Sequence, residues 1–209
     1  MILSFKKIKR KLIRPFIRKY RFLKFKVQLR TSPNKFVFNN YDKCFVIGLG
    51  KTGTSSMHKF LKSHGSKHLT MLDLTSKIYK EKKYCQLIKI SSKFNSFDDH
   101  PWNKLEIIEL LMKSKDKIGF IYTMRDPNLR FESKKRFNAK RGYRKIHEND
   151  RKKFVDIYNN HLKSCLKLSS KYKKKILFID VTKDKNISLA IENYLGLNKA
   201  ITFPHNNKS

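Results

Sequence analysis

The chain is short of acid. Sixteen Asp+Glu stand against 50 Lys+Arg in 209 residues, a formal net charge of +34. A field of that sign draws polyanions, whether nucleic acid, anionic membrane, acidic glycan or nucleotide; it names a class of partner and no reaction. Cysteine is scarce too. Cys44, Cys85 and Cys165 are odd in number and far apart, which excludes a disulfide framework and a cysteine-rich zinc cluster. Cys44 and Cys165 lie in apolar patterns and are expected to be buried thiols in a reducing compartment. Seven glycines and five prolines are too few for a fibrous or low-complexity chain. No apolar run reaches 18 residues, so no membrane-spanning helix is expected. Ile2 and Leu3 run directly into Lys6, Lys7, Lys9, Arg10 and Lys11, which leaves no signal-peptide core. These absences predict a cytoplasmic or membrane-peripheral protein.

What is present suffices for one domain: 39% of the residues are hydrophobic, enough for a core at this length. Residues 1–43 read as a basic arm with 14 Lys+Arg and a single acid, Asp42. Residues 44–209 read as the domain and still hold 36 basic against 15 acidic residues. In the arm Ile8, Leu12, Ile13, Phe16, Ile17, Tyr20 and Leu23 recur at loosely helical spacing, with Pro15 as a break. Such a helix suits an anionic membrane surface, or packing on the domain by its apolar stripe; a nucleic-acid arm is a third reading.

From Cys44 onward short apolar runs alternate with amphipathic stretches. Strands are predicted at Cys44–Gly48, Leu87–Ile90, Ile118–Met124 and Ile176–Val181. Helices are predicted at Ser55–Ser63, Trp102–Ser114, Asp150–Tyr172 and Ile187–Leu195. In the third, Phe154, Tyr158, Leu162, Cys165 and Tyr172 share one face. The alternation predicts an α/β fold, three layers around a mainly parallel central sheet, with ligands at the strands' C-terminal edge.

The strongest local signal is Cys44-Phe-Val-Ile-Gly-Leu-Gly-Lys-Thr-Gly-Thr-Ser-Ser-Met57. Gly48, Gly50 and Gly53 let the backbone approach an anion closely. Amides at the start of the following helix form a phosphate nest. The hydroxyls of Thr52, Thr54, Ser55 and Ser56 and the cation Lys51 add to it. The order departs from the ATPase loop GxxxxGK[ST], in which Phe45 would have to be glycine. A second signal follows the Ile118–Met124 strand: Arg125-Asp-Pro-Asn-Leu-Arg130-Phe-Glu-Ser133, with an arginine fork at a strand end.

The first string resembles the 5′-phosphosulfate loop of the sulfotransferase family that uses 3′-phosphoadenosine 5′-phosphosulfate (PAPS). The second, R-x-P-x-x-R-x-x-S, is similar to that family's 3′-phosphate site. The resemblance extends over residues 44–207, through Phe97-Asp-Asp-His-Pro-Trp102 and the closing Phe203-Pro-His-Asn-Asn207. It implies a P-loop-like α/β/α fold and transfer of a sulfuryl group to a hydroxyl, most plausibly on a carbohydrate. It implies Lys51 as the catalytic cation and Gly50 to Ser56 as the cradle. Arg125 and Ser133 become ligands of the 3′-phosphate, and Arg130 matches the pattern without a defined role. PAPS would be the co-substrate and no metal is required. A base must deprotonate the acceptor; Asp98, Asp99 and His100 are the candidates, Asp99 first by pattern and His100 by its ordinary pKa. The bland alternative is that these three cap the Trp102–Ser114 helix, with Pro101 in its first turn.

Two rival readings remain. A nucleotide-dependent kinase would need a magnesium-binding acid, for which Asp180 is the candidate. A nucleic-acid-binding protein would fit the charge, although no helix-turn-helix, zinc spacing or stacking motif is present. The remaining histidines, His58, His64, His68, His147, His161 and His205, show no metal-ligand spacing and are expected on helices or the surface.

Overall fold

The computed structural model describes residues 15–17, 19–20, 22–33, 37–70 and 73–204. Helix α1 occupies residues 22–30, and residues 15–17 and 19–20 are helical as well. Thereafter the order is β1 (Lys43–Val46), α2 (Thr54–Ser63), β2 (His68–Leu69), α3 (Asp73–Lys80), α4 (Tyr84–Ser91), β3 (Ser96–Asp98), α5 (Leu105–Lys113), β4 (Ile118–Met124), α6 (Pro127–Arg141), a short 3₁₀ turn at Glu148–Asp150, α7 (Arg151–Tyr172), β5 (Ile176–Asp180) and α8 (Ile187–Leu195).

The five strands form one parallel sheet in the order β2-β3-β1-β4-β5. Its two faces are covered by different helices. Phe45, Phe97, Phe120 and Tyr122 point to one side, against Phe25 of α1, Leu87 of α4, Ile107 and Ile108 of α5 and Cys165 of α7. Cys44, Val46, Ile121 and Ile179 point to the other, against Met57, Phe60 and Leu61 of α2 and Ile187 and Ile191 of α8. The alternation along β1 is the period-2 geometry of a strand buried on both faces. The result is the expected three-layer α/β/α arrangement of P-loop type. Cys44 and Cys165 are fully buried, as expected, and Cys85 is exposed.

Three expectations fail, each for a local reason. Leu87–Ile90 is helical, inside α4; only Leu87 and Ser91 of that helix are buried, and an apolar run of four cannot by itself distinguish strand from helix. The strands that complete this half of the sheet are β2 and β3, too short to carry a pattern. Helix α6 was not anticipated, because it is rich in charge and has no apolar stripe. It starts where Asp126 accepts from the amides of Asn128 and Leu129, with Pro127 in the first turn, an ordinary N-terminus. Helix α5 begins at Leu105 with Lys104 as N-cap. Asp98, Asp99 and His100 therefore do not cap it, and Pro101 precedes it across a cis peptide bond.

Candidate functional site

In a parallel sheet every strand delivers its C-terminal end to the same edge. Here that edge receives the loop after β1, Asp99 after β3, Arg125 after β4 and Val181 after β5.

The loop is held from below and from the side. Gly48 lies against β4, where a Cβ would come within 2.3 Å of the Thr123 hydroxyl and 2.6 Å of its carbonyl oxygen. Thr52 is fully buried; its hydroxyl donates to the Leu49 carbonyl at 2.6 Å and lies 2.7 Å from the Thr123 hydroxyl. Lys51 and Gly53 both have positive φ, 76° and 100°. At Gly53 this is easy; at Lys51 it is a strained choice. Gly53 is the N-cap of α2 and has no side chain to offer the helix. The positive end of α2 thus opens onto the concave side of the loop.

Helix α6 closes the loop from above. Arg130 is buried, and its Nε donates to the Gly50 carbonyl at 3.0 Å. Its guanidinium lies 4.0 Å from the Phe154 ring centroid and 5.4 Å from that of Tyr158. Burial lowers its pKa to about 10, so it stays charged at neutral pH. Phe137, two turns along, carries the Lys51 ammonium 3.9 Å from its ring centroid. Lys51 is held below the usual lysine range by burial first and by Lys134, Arg125 and Arg141; Asp99 acts in the opposite sense.

Asp99 has a positive φ of 56°, and its Oδ1 is 3.9 Å from where a Cβ on Gly50 would stand. Burial, then the neighbouring Asp98 carboxylate, raises its pKa to about 6; a hydrogen bond from the Thr54 side chain, His68 and Lys51 oppose the rise. Lys51 and Asp99, 48 positions apart, thus influence each other electrostatically across the glycine loop, although the Lys51 ammonium rests on Phe137.

Arg125 ends β4 half-buried. Its Nε is buried with no hydrogen-bond partner, while the Asp126 carboxylate beside it is occupied in capping α6. Ser133 lies half-buried on α6, one turn beyond Arg130. Of the sequence candidates, Lys51, Thr54, Asp99 and Arg125 converge. His100 turns away: its Nδ1 meets the Ser76 hydroxyl at 3.2 Å and its ring packs edge-on against Tyr79. His205 lies outside the described residues, while Phe203 just before it is buried against Phe60. The Asp180 side chain accepts from the amide and hydroxyl of Thr182, at 2.9 and 2.6 Å, in its own turn.

Sequence reasoning missed Thr123, Lys134, Phe137 and Tyr158, which no motif marks. It also misread His68. This residue is buried on β2, its Nδ1 2.6 Å from the Ser96 hydroxyl and its Nε2 3.2 Å from Asp98 Oδ1. His58 Nδ1 stands 3.9 Å from the other Asp98 oxygen, and burial holds His58 near pKa 4. Among the described residues, His58, His68 and Asp98 are the set that could hold a metal, their donor atoms all within 4.8 Å of one another. Tetrahedral zinc asks for ligand atoms about 3.3 Å apart. As arranged, the set is looser than that, and it anchors the end of β3 beside Asp99.

Comparison of the sequence with protein-family models and with curated proteins finds no match in either.

Proposed function

We propose that the chain is a sulfotransferase that takes its sulfuryl group from PAPS and delivers it to an acceptor hydroxyl. The observation that carries this reading is the convergence of three groups on one sheet edge. These are a glycine loop opening the positive end of α2 with Lys51 at its rim, a carboxylate (Asp99) beside Gly50 of that loop, and an arginine (Arg125) one strand over with a buried Nε that has no partner among the described residues. A nucleotide with phosphate at both its 5′ and 3′ positions needs two separated anion sites, and the loop and Arg125 supply two.

The residues present fit that donor. The 5′-phosphosulfate would lie against the amides of Gly50 to Ser55, where Gly50 leaves open space that a Cβ would narrow toward Asp99, while Gly53 packs against the Val181 side chain and the Ser56 amide already donates to the Gly53 carbonyl. Arg125, with Ser133, would hold the 3′-phosphate as a planar fork. The donor supplies an activated sulfonate whose bond to the 5′-phosphate oxygen breaks as the bond to the acceptor oxygen forms. Lys51 would offset the charge that grows on the departing oxygen. Asp99 would take the acceptor's proton; with a pKa near 6 it is ionised at neutral pH yet more basic than an ordinary aspartate. His100 faces Ser76 and Tyr79, which favours Asp99 for the role. A carbohydrate acceptor is favoured by the family resemblance and by the basic surface. The kinase reading is weaker, because Asp180 is engaged in its own turn rather than presented to a cation.

Calorimetric binding of 3′-phosphoadenosine 5′-phosphate, with ATP and 5′-AMP as comparators, tests the assignment. Preference for the 3′,5′-bisphosphate, lost in Arg125→Ala, is the expected outcome. Equal binding of all three nucleotides, or of none, would overturn it.

A further inference from the structure

Helix α1 is apolar on two opposite faces. One face is spoken for: Phe25 is 1% exposed and stacks on Phe94 at 6.0 Å, and Leu29 packs into the same core. The C-terminal turn is fastened as well. The Lys67 ammonium donates to the carbonyls of Gln28 and Thr31, at 2.5 and 2.7 Å, and to the Thr31 hydroxyl at 2.8 Å. A cation on the last carbonyls of a helix is the favourable polarity.

The other face has no such partner among the described residues. Phe16, Tyr20, Leu23 and Val27 are 75%, 65%, 53% and 62% exposed. Leu23 and Val27 stand one turn apart on α1, on the side away from Phe25 and Leu29, and Phe16 and Tyr20, in the helical residues before it, continue the spacing of three and four positions in the sequence. Exposed Lys19, Lys26 and Arg30 lie along one margin of this stripe and Lys24 along the other. Four large apolar side chains in line, each half exposed or more, are not the scattered exposure of an ordinary surface.

We infer that this stripe is a membrane-docking surface for anionic lipid. Charge complementarity selects the occupant. Cations flanking the stripe would meet acidic headgroups while the apolar side chains enter the acyl boundary, the arrangement of a helix lying in the interface. A protein carrying +34 opposes close approach of a second copy of itself and is drawn to an anionic surface. The attachment also has a direction. Lys67 and Phe94 precede β2 and β3, so the C-terminal half of α1 is fixed to the sheet edge opposite the phosphate loop.

The test must separate insertion from the simple adsorption of a basic protein. The full chain is sedimented with vesicles of phosphatidylcholine alone and of phosphatidylcholine with phosphatidylglycerol, at low and high salt. The double variant Leu23→Ser/Val27→Ser, which keeps every charge, is compared with Leu189→Ser, a similarly exposed leucine on α8. Binding to the anionic vesicles that survives high salt, and that falls about tenfold or more in the double variant but not in Leu189→Ser, is expected. Thermal melting shows whether each variant is folded, and Phe16→Ser/Tyr20→Ser serves in its place if the first pair is not. Three results would sink the inference: no vesicle binding, binding abolished by salt and indifferent to the stripe, or a dimer by light scattering that the stripe variants dissociate. Stripe-dependent binding to nucleic acid in place of vesicles would do the same.

Discussion

Arg130 donates from Nε to the carbonyl of Gly50 at 3.0 Å, joining α6 to the glycine loop after β1 across 80 positions of sequence. The arginine is buried between aromatic rings, so its role is to set the loop's shape from behind. Arg125, at the strand end, keeps an unpartnered buried Nε. Arg130 Nη1 is also buried without a hydrogen-bond partner among the described residues, so what sets the two arginines apart is the bond of Arg130 to Gly50 and its packing on Phe154 and Tyr158.

Replacing Arg130 should cost stability before it costs chemistry. Arg130→Ala removes a buried side chain packed on Phe154 and Tyr158 and unpairs the Gly50 carbonyl, a loss of about 2–4 kcal/mol. Arg130→Lys keeps a charge without the planar fork. It should melt between wild type and Arg130→Ala and bind the 3′,5′-bisphosphate more weakly than wild type. A melting curve of Arg130→Ala superimposable on wild type would refute the scaffold role.

Asp99 should impose a pH dependence of definite sign. Its carboxyl is raised to about 6 by burial and by Asp98, so the base form accumulates only as pH rises through 6. The rate of sulfuryl transfer at limiting substrate should climb on an acid limb near pH 6, and Asp99→Asn should lower it by two orders of magnitude or more. Stability runs the other way. The folded state holds this proton more tightly than the unfolded chain, so the group's contribution is present at low pH and is lost as pH rises from about 4 to about 6. Asp99→Asn, whose side chain tolerates the positive φ, should therefore raise the melting temperature at pH 7. The gain is worth roughly 2–3 kcal/mol, and it should vanish below about pH 4. Chemical denaturation at several pH values reads it directly.

Gly48→Ala is expected to fail structurally. Its Cβ would fall 2.6 Å from the Thr123 carbonyl oxygen, a backbone atom that cannot swing aside. A loss above about 2 kcal/mol, with weaker nucleotide binding, is expected. Gly65→Ala is the contrasting case: unlike Gly48, Gly65 has positive φ, and nothing lies within 4 Å of its Cβ, so it should show the cost of conformation alone.

Lys51→Ala should separate binding from turnover. The ammonium rests on Phe137 and supports no part of the core, so the melting temperature should change little. Turnover should fall at least a hundredfold, with a smaller loss of nucleotide affinity. A large fall in melting temperature would mean that Lys51 serves the fold instead.

Much of the fold was legible because the sheet is buried on both faces. Central strands such as β4 are continuous apolar runs, and α7 repeats its apolar face over six turns. The glycine loop was legible because close approach and positive φ demand particular residues at fixed spacing. The edge strands β2 and β3, of two and three residues, left no pattern to find. Helix α6 was hidden for the opposite reason: its buried residues are Arg130, Phe131 and Asn138, two of them polar, which leaves no apolar stripe to read.

The sequence by itself determined the anion-seeking character, the loop after the first strand and the parallel α/β architecture, since each follows from local composition and periodicity. Only the tertiary structure decided which candidates meet. Asp99 and not His100 lies beside Gly50 of the loop, and Arg130 supports the loop from behind. His68 pairs with Asp98 beneath the site, and α1 turns one apolar stripe inward and the other out. Those choices depend on strand order and on side chains brought together across 30 to 80 positions, distances over which no sequence period acts.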